Sequence, residues 1–132
     1  MNIQEDYVSF EVAKLLKEKG FNEACEYCYA YFSDDDIRVF PLNPSHNAQI
    51  LSKDRYPYIT HQLAMKWLRE KFNCNIVLDM CSDNNNDCYV LWTFNILQNK
   101  NYKIIWGEKQ PKFNTYEEAV EAALKYCLEN LI

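Results

Sequence analysis

Hydrophobic positions recur at helical spacing in three stretches of the chain. In the first, Val12, Leu15 and Leu16 share one face while Lys14, Lys17 and Glu18 share another. Ser9 precedes the stretch as an N-cap, whose hydroxyl can accept an otherwise unpaired first-turn N–H. Glu11 adds negative charge at the positive end of the helix dipole. Gly20 supplies the left-handed residue of a Schellman ending, with Phe21 folding back on Leu16. The second stretch runs from Thr60, an N-cap, to Phe72; Leu63, Ala64, Trp67, Leu68 and Phe72 form its buried stripe, and Lys66, Arg69 and Glu70 face water. The third opens on a capping box, Thr115 with Glu118. Its stripe is Tyr116, Ala119, Val120, Ala123, Leu124, Cys127, Leu128 and Leu131. Glu117, Glu121, Lys125 and Glu129 lie opposite, with Glu121 and Lys125 in the favourable i,i+4 order. On this pattern Leu124 is core, and Glu121 is a solvated residue whose loss changes little.

Between the helices the period falls to two. Glu26 to Phe32 sends Tyr27, Tyr29 and Tyr31 to one face and Cys28, Ala30 and Phe32 to the other. Ser33-Asp34-Asp35-Asp36 reads as a turn, and Ile37 to Leu42 as the returning strand of a hairpin. Asn75 to Cys81, Cys88 to Leu97 and Tyr102 to Trp106 form an antiparallel meander separated by polar turns at Asp83 to Asp87 and at Gln98 to Asn101. In the middle strand the even positions, Cys88, Val90, Trp92, Phe94 and Ile96, mark the core face. Residues 43 to 58 show no clear period and contain two prolines, so they read as one long irregular connection. The predicted order is α-β-β-α-β-β-β-α. That is an α+β fold: a mainly antiparallel sheet with helices packed on one face, in a single domain spanning 1–132.

Composition narrows the function. Aromatic residues make up 15% of the chain, which supplies enough large apolar surface to argue against disorder. The net charge is −5, the opposite of what a phosphate-binding surface wants, so nucleic acid is not an expected partner. The polar start, Met1 to Asp6, does not read as a secretory signal, and no apolar run reaches the ~20 residues of a membrane span. The expected setting is cytoplasmic, with no membrane association and with the six cysteines reduced.

Three blocks carry a family likeness: Tyr7 to Phe21, Thr60 to Glu70, and Tyr116 to Leu124. Together they resemble a family of small uncharacterised proteins carried by phages and prophages of gut bacteria of the Bacteroides group. The resemblance implies a bacterial host cytosol and transfers no activity or catalytic residue. Segments 34 to 57 and 82 to 103 are individual to this chain.

The candidates for chemistry are few. Cys25-x-x-Cys28 has the spacing of half a zinc ribbon, but no second pair follows and strand alternation would split the two thiols. Redox use of the same pair wants it at a helix N-terminus, where it does not lie. His61 falls in the first turn of a helix and reads as a solvated surface group; His46 lies in the irregular connection. The Asp-rich runs lack the glycine and the bidentate Glu of a calcium loop. With only Gly20 and Gly107, no phosphate-cradling loop can form. No metal or cofactor is therefore expected.

What remains is a binding surface. Arg55, Tyr56 and Tyr58, at the end of the irregular connection, combine a cation with rigid amphipathic rings and are the predicted partner-binding residues. The expected function is a small non-enzymatic phage-type accessory protein that binds another macromolecule, most simply a host or phage protein; a homodimer is compatible with the same features. The alternative is a small enzyme or metal-dependent hydrolase, with a site assembled around His46, cysteines and aspartates.

Overall fold

The structure is a computed structural model that describes residues 3–42, 52–82, 90–98, 101–103 and 111–132. Its three helices start where the cap residues predict. They are α1 (Phe10–Glu18), α2 (His61–Phe72) and α3 (Tyr116–Asn130), and Ser9, Thr60 and Thr115 accept the N–H groups of Val12, Leu63 and Glu118. α1 ends as a Schellman motif: Gly20 has φ +91°, its N–H donates to Lys17 O, and Phe21 N–H donates to Leu16 O. α2 buries Ala64, Trp67 and Leu68 of its predicted stripe, but Leu63 is 38% exposed, and His61 and Met65 are buried instead. The stripe is turned toward a histidine whose polarity hid it.

The α+β class and the antiparallel pairing agree with the sequence pattern, but among the described residues the strands form two three-stranded sheets, with one strand more than predicted. The first sheet has the order β2-β1-β3, with β1 (Tyr27–Ser33) between β2 (Asp36–Pro41) and β3 (Arg55–Tyr58). The second has the order β4-β5-β6, with β4 Cys74–Ser82, β5 Val90–Gln98 and β6 Asn101–Lys103. β3 occupies the end of the stretch that had read as irregular, because proline demotes a strand pattern. Yet Tyr31 N–H donates to Asp54 O, while Arg55 O turns away from β1 to accept Lys17 Nζ at 2.8 Å. Pro57 shares the outward parity of Arg55, so its missing N–H removes no ladder bond. The turn at Asp83 to Asp87, Cys88, His46 and the predicted strand end at Trp106 lie outside the described residues.

α1 packs on the tyrosine face of the first sheet, α2 and α3 pack on the second, and α3 touches both other helices. One hydrophobic cluster runs through this layer, including Val12, Leu16, Trp67, Leu68, Phe94, Ile96, Leu124 and Leu128. Phe94 and Ile96 keep the predicted core face of β5, but Thr93 and Asn95 on its other face are buried as well. Thr93 donates to Pro111 O at 2.8 Å, and Asn95 donates to Asp79 at 3.4 Å, so these polar groups keep partners inside the fold. The thiols follow burial rather than a metal. Cys74 and Cys127 meet at 3.4 Å with no exposure, and the hydrogen bond from Cys74 together with burial pushes the Cys127 thiol upward. Burial also raises Cys25, to about 12. Among the described residues no group of three or more His, Cys, Asp or Glu side chains is arranged to hold a metal ion.

Candidate functional site

The segment before α1 is laid against the segment before α2. Val8 N–H donates to Ile59 O and His61 N–H to Asp6 O, each at 2.9 Å. This pairing brings Tyr7 over Tyr58, with ring centroids 4.3 Å apart and planes 2° from parallel. Tyr29 meets Tyr58 edge-on at 4.9 Å and donates its hydroxyl to Val8 O. Burial, followed by Tyr58 and Glu121, raises the Tyr29 phenol to about 12, so it stays a neutral donor. The tyrosines form one wall of a broad open cleft of about 1100 Å³. Phe113, held by paired backbone bonds to Trp92, and the first turns of α3 form the other side.

Glu121 lies at the inner end of the cleft. Its Oε1 accepts Ser9 N–H at 2.8 Å and His61 Nε2 at 2.9 Å, and its Oε2 accepts the Ser9 hydroxyl at 2.9 Å. A carboxylate only accepts, so the bonded His61 nitrogen carries a hydrogen. Burial pushes the Glu121 carboxyl up, but the bonds from His61 and Ser9 outweigh it and leave it below the ordinary range. The anion also sits at the N-terminus of α1, where the helix dipole favours it. Two predicted roles are corrected here. Glu121 is not a solvated partner of Lys125, which instead reaches Glu11 at 2.8 Å; and His61 is not a surface group, being only 5% exposed. A polar residue can enter the interior when another element brings its partner, and these partners are 60 and 112 positions apart.

Serine, histidine and glutamate together suggest nucleophilic catalysis, but the wiring is different. In a nucleophilic triad the histidine stands between serine and acid and takes the serine proton. Here the carboxylate stands in the middle, and the Ser9 oxygen already accepts Val12 N–H. The set fastens α1, α2 and α3 together.

The three predicted partner-binding residues do not share a surface. The Arg55 side chain lies on the face of the first sheet opposite the tyrosines, its guanidinium 5.8 Å from the Phe32 ring centroid. Tyr56 lies beneath α1, edge-on to Phe10 at 5.1 Å and under Lys17 Nζ at 4.8 Å. Only Tyr58 lines the cleft. Lys17, predicted to face water, donates to Ser52 O and Arg55 O at 2.8 Å each. Sequence reasoning missed Tyr7, His61 and Glu121; it had marked Ser9, but only as a cap. Nothing local in the sequence could have joined them. No protein-family model, curated protein or solved structure matches the chain.

Proposed function

We propose that this is a non-enzymatic binding protein that engages a segment of another protein in the cleft walled by Tyr7 and Tyr58. The observation that carries this reading is the parallel stack of the two rings beside a large open cavity. Stacking fixes both side chains in advance, so little rotamer freedom is left to lose on binding, and each ring offers a wide apolar face with a polar tip. The fastening of Ser9, His61 and Glu121 supports the same reading, since it holds the cleft floor and leaves no activated nucleophile. No helix among the described residues is long and apolar enough to cross a membrane. The resemblance to phage-borne proteins directs the reading toward a host or phage protein met in the bacterial cytoplasm.

Affinity capture from lysate of the host, with wild type and the single variants Tyr7→Ala, Tyr58→Ala and Arg55→Ala, tests the proposal. Loss of either stacked ring weakens capture of the same partner about tenfold, roughly 1.4 kcal/mol, and Arg55→Ala leaves it unchanged. Capture that follows Arg55 and ignores both rings moves the interface away from the cleft, to the side of the first sheet opposite the tyrosines.

A further inference from the structure

We infer that the protein segment taken by the cleft is basic, and that a lysine or arginine side chain seats on the open face of Tyr7 among the carboxylates of the rim. This rests on the reading of the cleft as a binding site. Five carboxylates line it: Glu121, engaged by Ser9 and His61, and four at the rim, from Glu5 and Asp6 on one side and Glu117 and Glu118 on the other, all four exposed. Among the described residues none of the four rim acids forms an ion pair, and no lysine or arginine lines the cleft. Elsewhere Asp36, Glu70, Glu23 and Glu11 have cationic partners, and Glu18, Glu26 and Asp35, which have none among the described residues, are scattered rather than gathered around one cavity.

Two further features favour a ligand that brings a cationic polar group. One face of the Tyr7 ring is covered by Tyr58, yet Tyr7 is 37% exposed, so its other face can receive an ammonium or guanidinium group. His61 lines the cleft and is 5% exposed; its Nε2 is engaged by Glu121, while Nδ1 meets no partner among the described residues. That nitrogen is a buried polar atom left for a ligand to meet. An acidic ligand would meet the charge of the carboxylates with no lysine or arginine to offset it, and only neutral donors such as the Gln4 amide and the tyrosine hydroxyls. A free polyamine would satisfy the charge but has only a thin methylene chain to set against the tyrosine wall. A basic protein segment supplies both, and a cavity of about 1100 Å³ is roomier than one side chain needs.

Fluorescence anisotropy with labelled ten-residue peptides tests this. One peptide carries lysines and arginines among leucine and serine, a second has glutamine at every basic position, and spermidine is the competitor. Two protein variants remove the same amount of charge: Glu117→Gln with Glu118→Gln in the cleft, and Asp35→Asn with Glu70→Gln away from it. We expect the basic peptide to bind at least tenfold tighter than its glutamine counterpart. We also expect the cleft variant to lose about tenfold and the distant variant less than twofold, with melting temperatures confirming that both fold. Equal losses in the two variants overturn the inference, because net charge alone then attracts the peptide. If the glutamine peptide binds equally well and Tyr7→Ala abolishes that binding, the cleft reading stands and the basic preference falls. If neither peptide responds to Tyr7→Ala, the cleft reading falls too. Spermidine competing at the concentration of the peptide overturns the assignment to a protein segment.

Discussion

Helix α1 is fastened at both ends by a side-chain charge, and the two fastenings differ in kind. At its start the Glu121 carboxylate collects donors from Ser9 and His61. At its end the Lys17 ammonium reaches two carbonyls, Ser52 O and Arg55 O, and lies over the Tyr56 ring. Both obey the helix dipole, an anion near the N-terminus and a cation near the C-terminus. For Glu121 the bonds outweigh burial and favour the charged form; for Lys17 burial lowers the pKa and Asp54 opposes it only in part. Their surroundings diverge as well. The lysine knot closes over its aromatic ring, whereas the carboxylate knot adjoins an open cleft with unpaired acids at its rim. Tyr56 and Tyr58 lie on one face of one strand, yet the first belongs to the closed knot and the second to the open one.

Packing remote from both knots sets the scale. Leu124 is fully buried in the shared core, and Leu124→Ala lowers stability by about 2–5 kcal/mol in urea melts. A small shift would mean that the core relaxes and that the knots carry more of the fold than burial indicates. Glu121→Ala comes next. It strands a buried imidazole N–H and leaves the two Ser9 donors to water, and should lower stability by about 2 kcal/mol, against about 1 kcal/mol for Lys17→Ala, which strands no buried side-chain donor. Equal midpoints for these two variants would break the comparison.

The tyrosines sharpen it further. Tyr56→Ala removes a ring held between Phe10 and Lys17 and should lower stability by about 2 kcal/mol, while Tyr58→Ala, which faces the cleft, loses about 1 kcal/mol. Thermal melts in which the order reverses would identify the Tyr7–Tyr58 stack as scaffold. Acid titration addresses the carboxylate knot alone. The folded Glu121 carboxyl lies below its unfolded value, so its contribution is fully present above about pH 4.5 and fades as the pH falls through the folded value. The gap in melting temperature between wild type and Glu121→Gln should therefore narrow below about pH 4.5; a constant gap would mean that charge is irrelevant there. The smallest effect belongs to Asp54, which holds φ 71° beside the lysine knot. Asp54→Gly relieves the left-handed strain and should raise stability by about 0.5 kcal/mol, unless the attraction of Asp54 for Lys17 is worth more, in which case the melt moves down.

The sequence by itself determined what depends on near neighbours. Ser9, Thr60 and Thr115 start the helices, Gly20 ends α1, and the stripe of α3 is buried as its spacing requires, because caps and helical periodicity act within a few residues. Antiparallel pairing followed from adjacent strand runs. Only the tertiary structure decided the rest. β3 pairs with β1 across more than twenty residues, and its proline is tolerated because that edge of the strand faces away from the sheet. His61 and Glu121 carry no local mark of burial: a polar side chain on a helix reads as solvated until another element presents its partner. Tyr7 and Tyr58 likewise became a wall only when the segments before α1 and α2 were laid side by side. Burial of a polar group is decided by pairwise contact in space, and sequence spacing carries no record of that contact beyond a turn or two of helix.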